Sequence, residues 1–156
     1  MRRLRFLLFA IVVLVMSSCG ASKKALVRQE KINTVVNTAK SYIGTPYRWG
    51  GTTRAGMDCS GLLINSYSSI KYALPRTSVD QSKIGKKVGM GKLETGDLVF
   101  FATGKKRRRI THVGLVTSVR GGEVKFIHSS SSLGVVESSL SSSYYKKRFI
   151  TGRRPF

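Results

Sequence analysis

Apolar residues recur along this chain in three rhythms. From Phe6 to Met16 they form a short unbroken core behind the basic stretch Met1-Arg2-Arg3-Leu4-Arg5, the layout of a secretory signal and too short to span a bilayer as a helix. Between residues 29 and 43 the period is helical: Ile32, Val35, Val36, Ala39 and Ile43 share one stripe, and Gly44 followed by Pro46 supplies a stop. A second helical period, through Leu62, Leu63, Tyr67 and Ile70, predicts a helix from Cys59 to about Lys71, broken by Leu74-Pro75. Thr77 and Ser78 cap a short helical turn through Gln81 and Ile84, and Gly85, Gly89 and Gly91 predict an irregular connection. Past Gly96 the rhythm is that of strands, Asp97 to Phe101, Thr111 to Val119 and Glu123 to His128, with Gly121-Gly122 turning the second into the third. Ser129 to Ser132 reads as a polar loop, Leu133 to Glu137 as a fourth short strand, and Lys147 to Gly152 as a last one among serine-rich loops. Helices first and strands afterwards predict an α+β domain, its N-terminal helices packed on an antiparallel β-sheet.

The leader changes the reading of the cysteines. Met16-Ser17-Ser18-Cys19-Gly20 resembles the lipobox of bacterial lipoproteins, with Met16 in place of the usual leucine. That resemblance implies residues 1–18 as a lipoprotein signal peptide, lipid on Cys19 and a lipidated tether over 19–29, followed by one domain over 30–156. The alternatives are a simple secretory cut that leaves Cys19 an ordinary thiol, or a Cys19 to Cys59 disulfide that folds the tether back. With Cys19 acylated, Cys59 is the one remaining thiol in a disulfide-permissive compartment, which points to a reactive role.

Charge narrows the partners. The net charge of +21 loses three with Arg2, Arg3 and Arg5, and the resulting +18 attracts polyanions. Nucleic acid is set aside, because an exported chain does not meet it and no zinc-finger, helix-turn-helix or RNA-binding signature accompanies the charge. Cell-wall carboxylates and anionic lipid headgroups fit better. The run Lys105-Lys106-Arg107-Arg108-Arg109 reads as a solvated hairpin tip, with contact to an anionic surface as the alternative.

Cys59 falls where a loop becomes a helix, behind the cap residue Asp58. The free N–H groups and dipole of a first helical turn favour an anion, so this placement predicts a lowered thiol pKa. A buried structural cysteine is the competing reading. The chain has two histidines, His112 and His128, each near one end of a predicted central strand. A cysteine nucleophile needs an imidazole within reach and a third group that fixes its tautomer, and these two can fill both posts. As metal ligands the three lack the close pairs of zinc sites, so no metal is expected. A plain two-residue turn at Gly121-Gly122 would pair Leu115 with His128 and put the histidines on opposite faces, so a shared face requires an odd-length connection or a bulge.

Thr45-Pro46-Tyr47-Arg48-Trp49-Gly50-Gly51, Asp58-Cys59-Ser60-Gly61-Leu62, Leu74-Pro75-Arg76-Thr77-Ser78, Gly96-Asp97-Leu98-Val99-Phe100-Phe101, His112-Val113-Gly114-Leu115 and Phe126-Ile127-His128-Ser129 resemble, in order, the motifs of the NlpC-type peptidoglycan endopeptidases. The resemblance implies a papain-like fold and hydrolysis of stem peptides, commonly between D-glutamate and meso-diaminopimelate. It implies Cys59 as nucleophile, His112 as general base and then acid, and His128 as its orienter. Tyr47 and the Cys59 N–H become oxyanion donors, and Asp58, Ser60 and Arg76 line the cleft. No cofactor is called for, and the expected form is a monomer. Gly20 after the lipidated cysteine favours an outer membrane, facing the periplasm. A papain-like amidase or acyltransferase of the wall and a non-catalytic wall-binding lipoprotein are the competing readings.

Overall fold

The computed structural model describes residues 23–106 and 108–156. The expected signal peptide, Cys19 and Arg107 lie outside the described residues. The chain divides into two units, 1–31 and 32–156. In the first, residues 23–31 are helical and largely exposed. A tether without regular structure was expected over most of that stretch. It has no apolar period, but Lys, Ala, Leu, Arg, Gln and Glu are strong helix formers and need none.

The second unit opens with helix α1, residues 32–40. Ile32, Val35, Val36 and Ala39 are buried, as the stripe predicts. Ile43 is not: it is 53% exposed, because the helix stops at residue 40 and the chain turns to pair with the strand Gly134–Ser139 through Gly44 N to Val135 O (3.0 Å) and Val135 N to Thr45 O (2.9 Å). A two-residue hairpin, β1 (Thr52–Thr53) and β2 (Gly56–Met57), follows and was not expected. Helix α2 runs Cys59–Ser68, three residues short of the prediction. Its end is set by Lys71, whose φ of 58° is left-handed and lets Tyr72 N return to Tyr67 O at 3.1 Å. Helix α3, Ser78–Gln81, is capped by the Thr77 hydroxyl.

The sheet has six antiparallel strands: β3 (Lys86–Val88), β4 (Leu98–Phe101), β5 (His112–Arg120), β6 (Glu123–Ser130), β7 (Gly134–Ser139) and β8 (Phe149–Arg154), in the order β3-β8-β4-β5-β6-β7. Edge strand β3 and the 3-10 turn Met90–Lys92 lie where an irregular connection was expected. Helix α4 (Ser143–Arg148) lies where serines were read as loop; the Ser142 hydroxyl caps it. Alternation along β4 divides two cores. Leu98 and Phe100 join α1 and α2 with Val113, Leu115 and Ile127, while Val99 and Phe101 join Val116, Phe126 and Leu140 on the opposite face. Helices α1 and α2 therefore cover one face, and Tyr145 of α4 with Phe149 closes the other.

Gly121 and Gly122, both at positive φ (56° and 82°), make the tight turn that pairs Arg120 with Glu123. The register then shifts at a bulge, with Ser118 opposite Lys125 but Val116 opposite Phe126, so that Thr117 is the extra residue. The bulge brings His112 onto the same face as His128.

Candidate active site

Asp58 shapes the start of α2. Its φ and ψ of −90° and 175° are extended, and its Oδ1 accepts from Gly61 N at 2.7 Å, the N-cap bond. Both carboxylate oxygens are shared: Oδ2 accepts from Gly50 N (3.0 Å) and Arg76 Nη2 (2.7 Å), and Oδ1 from Ser60 Oγ (3.1 Å) and Arg76 Nη1 (3.1 Å). Burial raises the carboxyl's pKa, but the Arg76, Gly61 and Ser60 bonds together outweigh it and hold Asp58 below the usual carboxylate range. Arg76 Nη1 also reaches Ser60 Oγ at 2.8 Å. Asp58 is thus satisfied by the protein itself. Arg76, its side chain 43% exposed, has two of its five N–H groups outside these bonds.

Cys59, half-buried and a free thiol, is the first residue of α2 and borders a cleft of about 480 Å³ together with Tyr47, Arg76, His112, His128 and Tyr145. The thiol departs from the sequence expectation. Burial pushes its pKa up, not down; the amide N–H groups of Val113, Ser60 and Cys59 pull the other way, and the Asp58 charge adds to the rise. Desolvation exceeds what the first helical turn supplies. The Val113 amide belongs to the strand that carries His112, so helix and strand meet at the sulfur.

From His112 a polar file runs inward. Its Nε2 lies 2.9 Å from His128 Nδ1, and His128 Nε2 lies 3.0 Å from Ser138 Oγ and 3.2 Å from the Tyr145 hydroxyl. The rings cross at 85°. His128 is 1% exposed and stacks on Phe126, with ring centroids 5.0 Å apart. Burial lowers the His112 pKa to about 4, and burial followed by the charge of His112 lowers that of His128 to about 3. Both imidazoles are neutral at pH 7. One assignment of protons leaves His112 Nδ1 free to accept: Nε2–H of His112 donates to His128 Nδ1, and Nε2–H of His128 donates to Ser138 and Tyr145.

Two further bonds fix the parts. The buried Ser129 Oγ donates to Met57 O at 2.8 Å across 72 residues, tying the strand that carries His128 to the residue before the Asp58 cap. Met57 N donates to Pro46 O (3.0 Å) and Arg48 N to Met57 O (3.2 Å), which sets Tyr47 beside the same segment. The Tyr47 phenol is pushed up by burial, then by Cys59 and Asp58, and stays protonated as a donor.

Residues 44–154 match the NlpC/P60 family. The chain is 35% identical over 158 residues to the probable endopeptidase NlpC of Escherichia coli (strain K12), covering 97% of this chain and 99% of that protein. The chain belongs to the NlpC/P60 family. It is also 37% identical to the murein DD-endopeptidase/murein LD-carboxypeptidase MepS of the same strain, over 83% of this chain and 66% of that one. A crystal structure of an NlpC/P60 family protein from Bacillus cereus ATCC 10987 superposes with a TM-score of 0.70 and 34% identity, covering 80% of this chain and 40% of the longer one. NlpC/P60 membership makes the chain a cysteine-type peptidase of papain-like α+β fold.

All seven residues singled out in the NlpC/P60 motifs of this domain line one cleft: Tyr47, Asp58, Cys59, Ser60, Arg76, His112 and His128. Ser138 and Tyr145 were missed. Ser138 shares a face with Val136, the residue opposite His128, but the expected strand stopped at Glu137. Tyr145 sits in the helix that was read as loop.

Proposed function

We propose that this chain is a lipid-anchored cysteine endopeptidase that hydrolyses peptidoglycan stem peptides, at the bond between D-glutamate and meso-diaminopimelate, through a Cys59-His112-His128 triad. The observation that carries it is the polar file from the cleft's histidine to Ser138 and Tyr145, which in the proton assignment above frees His112 Nδ1 in the cleft that the helix-start thiol borders. The coarser reading, a cell-envelope hydrolase of peptidoglycan, has the support of the relatives' names.

Both groups rest neutral, so the proton moves as the bond forms. Cys59 Sγ attacks the scissile carbonyl carbon while its proton passes to His112 Nδ1, and the imidazolium is held through its Nε2–H to His128. The Cys59 N–H and the Tyr47 hydroxyl donate to the oxyanion; losing one such donor costs about 2.7–4 kcal/mol in the barrier. The C–N bond then breaks, His112 returns the proton to the leaving amine, and a thioester remains. Water attacks the thioester with His112 as base, the C–S bond breaks, and the acid leaves with Cys59 again a thiol. Asp58 and Ser60 hold Arg76, whose free N–H groups face a substrate carboxylate. No step calls for a cofactor. Residues 1–18 would be the signal peptide, 19–29 the lipidated tether on Cys19 and 30–156 the peptidase domain, working as a monomer on the outer membrane's periplasmic side.

Digestion of purified muropeptides by the full chain and by Cys59→Ala, with products weighed by mass spectrometry, tests this. Cleavage within the stem that vanishes in Cys59→Ala is expected. Release of the intact stem from the glycan would make the chain an amidase, and no cysteine-dependent product would make it a wall-binding lipoprotein. The name of MepS favours a second bond, and products cut at the D,D cross-bridge instead would assign that one.

A further inference from the structure

The chain's cations are unevenly neutralised. Of its seven acidic residues, five are engaged by Arg76, Lys83, Arg154 and Lys40: Asp58, Asp80, Glu94, Asp97 and Glu137. None of them reaches two basic segments that meet beside the cleft. The β4–β5 loop carries Lys105, Lys106, Arg108 and Arg109, and the last turn of α4 carries Lys146 and Lys147. All six are exposed, and none has an ion pair among the described residues.

The two segments are fastened to each other and to the cleft wall. The loop's base is closed by Thr111 Oγ1, which accepts from Thr103 N (2.9 Å) and Gly104 N (3.2 Å), and Ala102 N donates to Arg148 O of α4 at 2.9 Å. Thr103 and Thr111 at the loop's base line the cleft, and so do Tyr144 and Tyr145 of α4. The segments that carry the cations therefore both start from one wall of the groove that holds His112, and we call the exposed basic border they form the rim.

Resting on the peptidoglycan reading above, we propose that this rim binds carboxylates of stem peptides neighbouring the one in the cleft, so that the substrate is the intact, multi-stranded wall polymer. Charge complementarity supports it: stem peptides repeat free carboxylates along each glycan strand, and clustered cations of one sign beside a cleft raise the local concentration of such a polyanion. Position favours the wall over a lipid surface, because the segments that carry these cations share the wall of the cleft that takes a stem peptide, and the neighbouring stems belong to the same polymer. Exposed charges act through water and salt, so the contribution falls as the Debye length shrinks from about 30 Å at 0.01 M to about 8 Å at 0.15 M.

The test uses full-chain protein carrying Cys59→Ala, which leaves sacculi uncut, with and without the four reversals Lys105→Glu, Lys106→Glu, Arg108→Glu and Arg109→Glu. Cosedimentation is measured with purified sacculi, with sacculi whose carboxylates have been chemically amidated, and with anionic and neutral lipid vesicles. The expected result is sacculus binding that falls roughly 10-fold or more on charge reversal and likewise on amidation or on raising salt to about 0.15 M. Lys146→Glu with Lys147→Glu gives a smaller loss in the same direction. The reversals in the chain with Cys59 intact leave turnover of a soluble monomeric muropeptide within about twofold, since a lone short substrate does not span the rim. Equal binding by the reversed chain, equal binding to amidated sacculi, or a loss confined to anionic vesicles would each overturn the proposal. The sacculus measurement needs no turnover, so a failed peptidase assay and a failed rim are separate outcomes.

Discussion

In the proton assignment above, His128 Nε2–H has two acceptors, Ser138 Oγ at 3.0 Å and the Tyr145 hydroxyl at 3.2 Å, and that redundancy makes a sharp prediction. Tyr145→Phe keeps the ring that packs on Phe126 and Phe101, at centroid distances of 4.9 and 5.3 Å, and removes one acceptor. Ser138→Ala removes the other. Either change alone leaves the N–H satisfied, and a net hydrogen bond is worth about 0.5–1.5 kcal/mol, so each single variant should lose at most about 12-fold in kcat. Together they leave a buried N–H with no partner, at about 1–3 kcal/mol. The ring relieves this by carrying its proton on Nδ1 instead. That proton then faces His112 Nε2, which must become an acceptor, and the His112 proton moves to Nδ1, the nitrogen that has to take the proton from Cys59.

The double variant should therefore lose about 5- to 150-fold in kcat, at about 1.4 kcal/mol per factor of ten. KM should change little, because Ser138 does not line the cleft and Tyr145→Phe keeps the ring that does. The assay is steady-state hydrolysis of a defined muropeptide by parent, singles and double at pH 7, analysed as a double-mutant cycle, with ¹⁵N chemical shifts of the two histidines reporting their tautomers. The loss in the double must exceed the product of the two singles. A double variant with kcat within about twofold of the parent, or singles whose effects multiply to the double's loss, would refute the tautomer argument.

Burial holds His112 at about 4, so the acid limb of kcat/KM should fall near pH 4, well below the ordinary histidine value of about 6.5; a limb near 6.5 would contradict it. The same depressed values make stability pH-dependent: between about pH 6.5 and 4 the unfolded chain binds protons at His112 and His128 that the folded chain does not, so thermal stability should fall as pH falls through that window, and less steeply in His128→Gln. A Cβ on Gly114 would meet Phe126 Cδ2 at 2.5 Å and Ile127 O at 3.0 Å, so Gly114→Ala should cost about 1–3 kcal/mol in urea unfolding by overpacking. Asp58→Ala removes the cap of α2, typically about 1 kcal/mol, and frees Arg76, so denaturation midpoint and KM should both worsen, whereas Arg76→Lys should raise KM with the smaller stability loss.

Where the hydrophobic period was regular, the fold could be read from the chain. The α1 stripe, the start of α2 and strands β4 to β6 lie close to their predicted places because alternation and 3.6-residue spacing report directly on a buried face. The misses are elements whose stability comes from elsewhere. Strand β3 is three residues between glycines, held as an edge by pairing Lys86 to Val88 with Gly152 to Arg154. Helix α4 has no buried residue, so no apolar stripe could announce it, and only Ser142 as a cap marked its start.

The candidate site divides along the same line. Residue type and position picked out Cys59, His112 and His128, and side-chain alternation even required the bulge that Thr117 supplies, since two histidines sixteen residues apart cannot share a face across a two-residue turn without one. Alternation says nothing about depth, and depth is what reverses the expected thiol. The first turn of α2 and the Val113 amide do offer N–H groups to the sulfur, yet burial removes more hydration from a thiolate than those dipoles return. The same desolvation lowers His112. Opposite shifts in a donor and its acceptor favour a neutral pair at rest, and a neutral pair needs His112 in one tautomer before it can accept. That requirement gives His128, Ser138 and Tyr145 their place: a buried file whose bonds all point one way holds the tautomer that a thiolate already formed would not have needed.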